Sequence, residues 1–324
     1  MKNLLLFILL LLLWQCHPEE TPVTKPHNNS KGPVILIHGG AGQIYEGRYT
    51  AEEEAQYHQS LQHALDSGYA WLSRGENAET VVEKVIRRLE SDSLFNAGIG
   101  AVYTAEGKVE LDASIMRGSD LNAGAVSGVQ HIEHPISLAH WVMDSSKHVM
   151  LSGRGAEHFG FMMGLDSVSN EIFHTVQSES NYRRIMKEKY GTVGCVVLDN
   201  HGNLAAGTST GGMMMKEFGR IGDSPIIGAG TYADNQGCAV SCTGHGEYFI
   251  RYAVAHHISQ TVSDGVSIRD ASSEIIHQTL KNAGGEGGVI AVDTAGNYTF
   301  QFNTQGMFRG VRNADTTYTL MYEE

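Results

Sequence analysis

Several familiar features are missing from this sequence, and each absence excludes something. Only 6 prolines occur in 324 residues, against 38 glycines, so tight turns and close backbone packing are favoured over stiff linkers. Charged residues make up just 18% of the chain, and the formal net charge is −13, with no run of Lys or Arg. A nucleic-acid partner needs a basic surface and is therefore excluded. Cysteine is scarce too: apart from Cys16 there are Cys195, Cys238 and Cys242, an odd number without paired spacing. That leaves no disulfide framework and no zinc pattern, and Cys195 in Val193-Gly194-Cys195-Val196-Val197 reads as a buried small hydrophobe. The 16 histidines show no HExxH spacing, and no dinucleotide-binding glycine fingerprint follows a strand.

Long apolar runs are lacking as well, with one exception. Leu4 to Leu13 is unbroken and follows Lys2. It is shorter than the ~20 residues a helix needs to cross a bilayer, and it suits the core of a signal peptide over residues 1–15. Cys16 at its end resembles the lipid-modified residue of a bacterial lipoprotein, although Trp14 and Gln15 stand where small residues are usual. A lipid anchor at Cys16, simple secretion and an uncleaved anchor all remain open. With lipidation the protein would sit in the bacterial periplasm or at the outer membrane, its only membrane contact the anchor. Residues 16–32, with Pro18, Pro22 and Pro26, read as a flexible tether.

What is present reads as alternating strands and helices in both halves. Pro33 to Ile37 is a short buried strand, followed by His38-Gly39-Gly40-Ala41-Gly42. Ala51 to Ser73 has helical spacing with Glu52, Glu53 and Glu54 in its first turn, and Asn77 caps a second helix with Val81, Val82, Val85, Ile86 and Leu89 on one face. Val109, Leu111, Ala113 and Ile115 alternate as in a half-buried strand, and Ile136 to Met150 reads as helix. After a polar stretch from Phe173 to Tyr190 come strands at Val193–Asp199 and Leu204–Gly207, helices at Tyr248–Gln260 and Ile268–Lys281, and strands at Val289–Val292 and Tyr298–Phe302. No clean βαβ alternation and no internal repeat is visible. The pattern favours sheets sandwiched between helix layers.

The feature with most chemistry in it is Gly191-Thr192-Val193-Gly194, where the polar stretch meets a buried strand. A threonine hydroxyl becomes a useful nucleophile when a base lies within hydrogen-bond reach, and its own α-amine serves once the preceding bond is gone. Such an amine has a pKa of roughly 7.7–8.0, matched to neutral operation. Taken alone, the tetrapeptide is more often an ordinary strand start. Its company is informative: Thr208-Ser209-Thr210-Gly211-Gly212, Gly219-Arg220-Ile221-Gly222-Asp223-Ser224-Pro225 and Ser241-Cys242-Thr243-Gly244-His245-Gly246-Glu247 downstream, Phe95-Asn96-Ala97-Gly98-Ile99-Gly100 upstream. This ordered set, with the glycine-rich start at His38, resembles the plant-type asparaginase and isoaspartyl peptidase family of N-terminal nucleophile hydrolases, from about residue 33 to the C-terminus.

The resemblance implies an α+β fold, a four-layer αββα sandwich, cut into an α subunit (33–191) and a β subunit (192–324) that stay together and form a homodimer. It implies Thr192 as nucleophile, Thr210 holding it, Thr243 and Gly244 as the oxyanion site, and Arg220, Asp223, Gly244 and Gly246 around a small amino-acid or dipeptide substrate. Read without the family, Arg220 and Asp223 would be a surface ion pair, Thr210 a strand-end hydroxyl, and the run at Thr243 a glycine-rich turn before a helix. Leu89, Glu90, Asp92, Phe95, Ala97 and Ile99 match a loop whose backbone carbonyls surround a structural sodium ion, with a plain turn as the alternative; Asn96 in that loop would reach the nucleophile. No cofactor is implied for catalysis. The expected reaction is hydrolysis of asparagine and β-aspartyl peptides, with glycosylasparaginase activity and a non-catalytic lipoprotein as the other readings. Cys195 departs from the family, where a small residue such as alanine is usual.

Overall fold

The computed structural model describes residues 32–175 and 191–323. The leader, Cys16 and all of the tether but Gly32 lie outside the described residues, as does most of the polar stretch before Gly191.

The hydrophobic alternation sorts the strands into two sheets with helices outside both. The larger sheet has eight strands: β1 (Val34–Gly42), β2 (Leu111–Arg117), β3 (Ala123–Val129), β4 (Met150–Ser152), β5 (Val193–Leu198), β6 (Leu204–Thr210), β11 (Gly306–Arg312) and β12 (Thr317–Tyr322). Their order is β12-β11-β1-β5-β6-β2-β3-β4. The smaller sheet orders β10 (Tyr298–Phe302), β9 (Gly287–Asp293), β8 (Cys238–Gly244) and β7 (Thr231–Ala233).

Side-chain parity decides what each face meets, because successive residues of a strand point to opposite sides. Ile35, Ile37, Val193, Cys195 and Val197 pack outward with Leu61, Leu65, Val82 and Ile86 of helices α1 (Ala51–Ser73) and α2 (Ala78–Glu90). Their neighbours Val34, Leu36, Val196, Leu204 and Ala206 face inward against Ala239, Ile290 and Val292 of the second sheet. That sheet's other face, with Val240, Cys242 and Val289, is covered by Val254, Ile258, Ile275 and Leu280. The layers are therefore α, β, β, α, as the resemblance implies. Cys195 is wholly buried in the outer core, which agrees with its reading as a hydrophobe.

Several elements differ from the sequence reading. β1 runs on through the whole His38-Gly39-Gly40-Ala41-Gly42 segment, with a register shift between His38 and Gly40 where it pairs with β11. β2 is buried on both faces rather than half-buried: Ser114 meets Thr231 of the second sheet, and Asp112 takes the Gly128 N–H and lies near Lys216. Helix α3 (Pro135–Ser145) stops short of Met150: the Ser146 hydroxyl bonds the Val142 carbonyl, and Met150 opens a strand parallel to β3. α4 (Gly153–Met162) was not foreseen. The expected helix from Tyr248 is two, α5 (Gly246–Arg251) and α6 (Val254–Ser263), broken at Ala253, whose φ is +46°. There Ala255 and His256 donate their N–H groups to the carbonyls of Ala229 and Gly228 instead. α7 (Ile268–Glu274) continues through a π-helical segment, Ile275–Leu280, into α8 (Lys281–Ala283).

β1 lies between β11 and β5, both of which follow residue 192. A cut before Thr192 would therefore leave the two pieces interleaved in one sheet.

Candidate active site

The same parity that builds the inter-sheet core turns polar toward one end of the sandwich. Val193 pairs with Ser209 across the β5–β6 ladder, which sets Thr192 beside Thr210. Thr192 is 8% exposed and Thr210 2%. The Thr192 hydroxyl donates to Thr210 Oγ1 at 3.1 Å. Thr210 Oγ1 also accepts the Gly212 N–H at 2.9 Å and lies 3.3 Å from the Gly191 carbonyl oxygen. That oxygen receives a second donor, Asn96 Nδ2, at 2.8 Å. Asn96 is fixed at both ends: it donates to Gly212 O and accepts the Val102 N–H. The carbonyl of the Gly191–Thr192 bond thus sits between two donors, beside the hydroxyl that would attack it. A side chain at Gly40, whose φ is +110°, would collide with the Gly191 Cα at 2.7 Å, so this close approach needs glycine.

The second sheet supplies the opposite wall. Thr243, next to the last residue of β8, is buried, and its oxygen accepts the Ala41 N–H at 3.4 Å. Gly244 has φ +148° and lines one pocket with Thr192, Thr210, Arg220 and Asp223. Gly246 opens α5, and a Cβ there would meet both Asp223 Oδ1 at 2.8 Å and Arg220 Nη2 at 2.9 Å, so the two side chains approach one point. They make no direct ion pair, the arrangement expected of them when read without the family. Arg220 is gripped by Glu247 through two bonds, 2.9 and 3.0 Å, while Asp223 Oδ2 is buried without a hydrogen-bond partner. Burial pushes the Asp223 carboxyl up to about 7, against the pull of Arg220. The structure thus brings together Thr192, Thr210, Asn96, Arg220, Asp223, Thr243, Gly244 and Gly246. Gly191 still lines the pocket, whose free space is about 20 Å³, room for little more than a water molecule.

The sequence reading missed two groups here. Lys216 is buried, donates to the Glu110 carbonyl at 3.0 Å, and lies 3.9 Å from Asp112 Oδ2. Asp112 stands directly opposite Thr210 in the β2–β6 ladder. The signal was the polar side of the Glu110-Leu111-Asp112-Ala113-Ser114 alternation, whose Asp112 and Ser114 are buried. Glu247, the partner of Arg220, was noted only as a helix start.

Among the described residues no cluster of His, Cys, Asp or Glu could hold a metal ion. A loop of carbonyls is a different kind of site, and two glycines shape it: a Cβ at Gly98 would strike the Glu90 carbonyl oxygen at 2.2 Å, and one at Gly100 the Phe95 oxygen at 2.0 Å. These approaches keep the loop backbone tightly turned, and the Leu89, Asp92 and Ala97 oxygens accept backbone N–H groups within it.

The Asparaginase family model (Asparaginase_2) matches residues 31–189 and 175–322. The chain is 45% identical over 312 residues to the isoaspartyl peptidase of Salmonella typhimurium, covering 90% of this chain and 99% of that protein. Identity to the Escherichia coli isoaspartyl peptidase is 45% over 309 residues, 90% of this chain and 96% of the relative. The human isoaspartyl peptidase/L-asparaginase is 38% identical over 288 residues, 85% and 91%. These names favour isoaspartyl and asparagine hydrolysis over the sugar-linked and non-catalytic alternatives.

Proposed function

The chain belongs to the Asparaginase family, and on that footing we propose that it is a self-processing threonine amidohydrolase acting on L-asparagine and β-aspartyl peptides. The observation that carries the substrate class is a single pocket with a threonine hydroxyl on one wall and an unpartnered, buried carboxylate oxygen of Asp223 on the other. A buried acceptor of that kind is costly unless a donor arrives. The α-ammonium of an amino acid supplies one, and Arg220 beside it suits the α-carboxylate.

In the first stage Thr192 Oγ attacks the Gly191 carbonyl carbon. Negative charge gathers on the oxygen that Asn96 and Thr210 approach. The C–N bond breaks, its nitrogen becomes the Thr192 α-amine, and the Gly191 acyl group sits on Oγ as an ester. Water hydrolyses the ester, leaving a Gly191 carboxylate and a free threonine N-terminus. Departure of the preceding segment opens a pocket otherwise too small for an amino acid. In the second stage the α-amine takes the Oγ proton, and Oγ attacks the substrate's β-carbonyl. Thr243 and Gly244 N–H hold the oxyanion, ammonia or an amino acid leaves, and water releases aspartate from the β-aspartyl ester.

A sodium ion held by the carbonyls of Leu89, Glu90, Asp92, Phe95, Ala97 and Ile99 would stiffen the loop that presents Asn96. We also read the active form as a homodimer of cleaved protomers, and Cys16 as a lipid attachment point after export to a bacterial envelope. Support for export and anchoring is the N-terminal sequence alone; no helix among the described residues is long and apolar enough to cross a membrane. Membrane fractionation of wild type and Cys16→Ala tests the anchor.

The deciding test is the purified chain beside Thr192→Ala, by denaturing gel, intact mass and aspartate release. Two fragments in the wild type, the second beginning at Thr192, with one uncut inactive chain in the variant, are expected. An uncut wild type without amidase activity on long incubation would end this reading.

A further inference from the structure

His38 opens the glycine-rich segment of β1, yet it is not among the residues lining the pocket. It is fully buried between the sheets. Its Nδ1 lies 2.9 Å from the main-chain carbonyl oxygen of Thr192, and its Nε2 3.0 Å from Ser241 Oγ. The β1–β5 ladder pairs backbones only as far as His38 and Gly194, so beyond that point the imidazole is a donor to the next carbonyl.

The geometry fixes the proton positions. A carbonyl oxygen only accepts, so Nδ1 carries the proton. Burial pushes the ring down to about 3, so it is neutral and Nε2 is an acceptor. Ser241 must therefore donate to His38, and Thr208, 2.7 Å from Ser241 Oγ, must donate to Ser241. Thr231 donates to Thr208 at 2.6 Å. Ser114 closes the chain, 2.8 Å from Thr231 Oγ1 and 2.6 Å from the carbonyl of Ser224, the residue after Asp223. All four hydroxyl residues are buried. Gly194 is what lets His38 and Ser241 meet: a Cβ there would lie 2.1 Å from both His38 Nε2 and Ser241 Oγ.

We infer that His38 is a positioning residue, held in one tautomer by the Ser241–Thr208–Thr231 hydroxyl chain, and that it clamps the Thr192 carbonyl so the nucleophile keeps its orientation once the bond to Gly191 is cut. Before the cut Thr192 is held on both sides; afterwards its amine end is free, and the His38 bond fixes rotation about its Cα–C bond. This rests on Thr192 being the nucleophile. The chain ends at Ser114 Oγ, whose single proton goes to Thr231 when the chain is continuous.

The test uses full-length wild type, Ser241→Ala, Thr208→Val and Thr208→Ser, with kcat and KM measured per mole of cleaved chain and the ring nitrogens of His38 followed by NMR. The wild-type ring should show a protonated Nδ1 and a bare Nε2, and Ser241→Ala should mix the tautomers. In Ser241→Ala and Thr208→Val kcat should fall about tenfold with KM within about twofold, the scale of lost orientation rather than lost chemistry. Thr208→Ser, which keeps the hydroxyl, should recover most of that loss. Unchanged kcat in both Ser241→Ala and Thr208→Val overturns the inference, as does equal loss in Thr208→Ser or a wild-type ring protonated at Nε2. A wild type that neither cleaves nor hydrolyses would sink the amidohydrolase reading instead, while the ring spectrum still decides whether the clamp exists.

Discussion

The hydroxyl chain behind Thr192 and the Asp223 carboxylate that shares its pocket are both buried, yet they are built in opposite ways. From His38 through Ser241, Thr208 and Thr231 to Ser114, each polar group has a neighbour within 3.0 Å. Across the pocket, Asp223 keeps one buried oxygen without a hydrogen-bond partner. A satisfied network orders the atoms that make it. An unsatisfied one is held in place by the rest of the fold and lowers its free energy when something binds. The contrast separates the part of the site that holds still from the part that waits for substrate.

Replacing Asp223 by Asn is the largest test of that contrast. It should lower kcat/KM by about 10²–10³ through loss of a charge-assisted bond to the substrate ammonium, without loss of thermal stability, since a partnerless buried charge is gone. Loss of stability together with activity would place Asp223 with the structural network.

Ser114→Ala makes the converse comparison. It leaves the buried Thr231 hydroxyl, the next in the chain, short of a neighbour and should cost about 1–3 kcal/mol in denaturant unfolding. A change below a few tenths would mean the chain is not cooperative.

The two regions also answer pH with opposite signs. Asp223 is raised to about 7 in the folded state, so the folded protein binds the extra proton between about pH 4 and 7. Its contribution is fully present below that window and lost as pH rises through it. His38 is lowered to about 3, so the unfolded chain binds the extra proton between about pH 3 and 6.5. Its contribution is present above that window and lost as pH falls through it. Melting temperatures from pH 4.5 to 6.5 should therefore drop more steeply with acid in Asp223→Asn than in wild type, and less steeply in His38→Gln. Parallel slopes in all three would remove the electrostatic half of the comparison.

The smallest effect should come from outside both regions. Thr50 caps α1 in a reciprocal pair with Glu53 on an exposed surface, and Thr50→Ala should cost about 1 kcal/mol with kcat and KM unchanged. A catalytic defect there would mean that the site is sensitive to any loss of stability.

Much of this was legible in the chain itself. Helical periodicity located α1 and α2 closely, and unbroken apolar runs marked the starts of β1 and β5. The ordered motifs carried the site, because Thr192, Thr210, Arg220, Asp223 and Thr243 lie in short segments whose residue types are chemically distinctive. Less visible were elements shaped by distant partners. Nothing local marks Ala253 as a break; the carbonyls of Gly228 and Ala229 take the N–H groups that a continuous helix would have used. β11 and β12 were not read, although β11 sits beside β1, one strand in from the edge of the large sheet, because glycines at 306 and 310 blur its alternation.

By itself the sequence determined the helix and strand periodicity and the residue types of the ordered motifs, which are local properties; the layer order, the candidate nucleophile and the candidate head-group loop came through the family those motifs resemble. The tertiary structure alone decided that Arg220 is gripped by Glu247 rather than paired with Asp223, that Asn96 and Thr210 share the Gly191 carbonyl, and that His38 reaches Thr192 from 154 residues away. Those facts depend on which donors and acceptors the folded strands, loops and helices bring within hydrogen-bond reach of one another. No spacing along the chain encodes that.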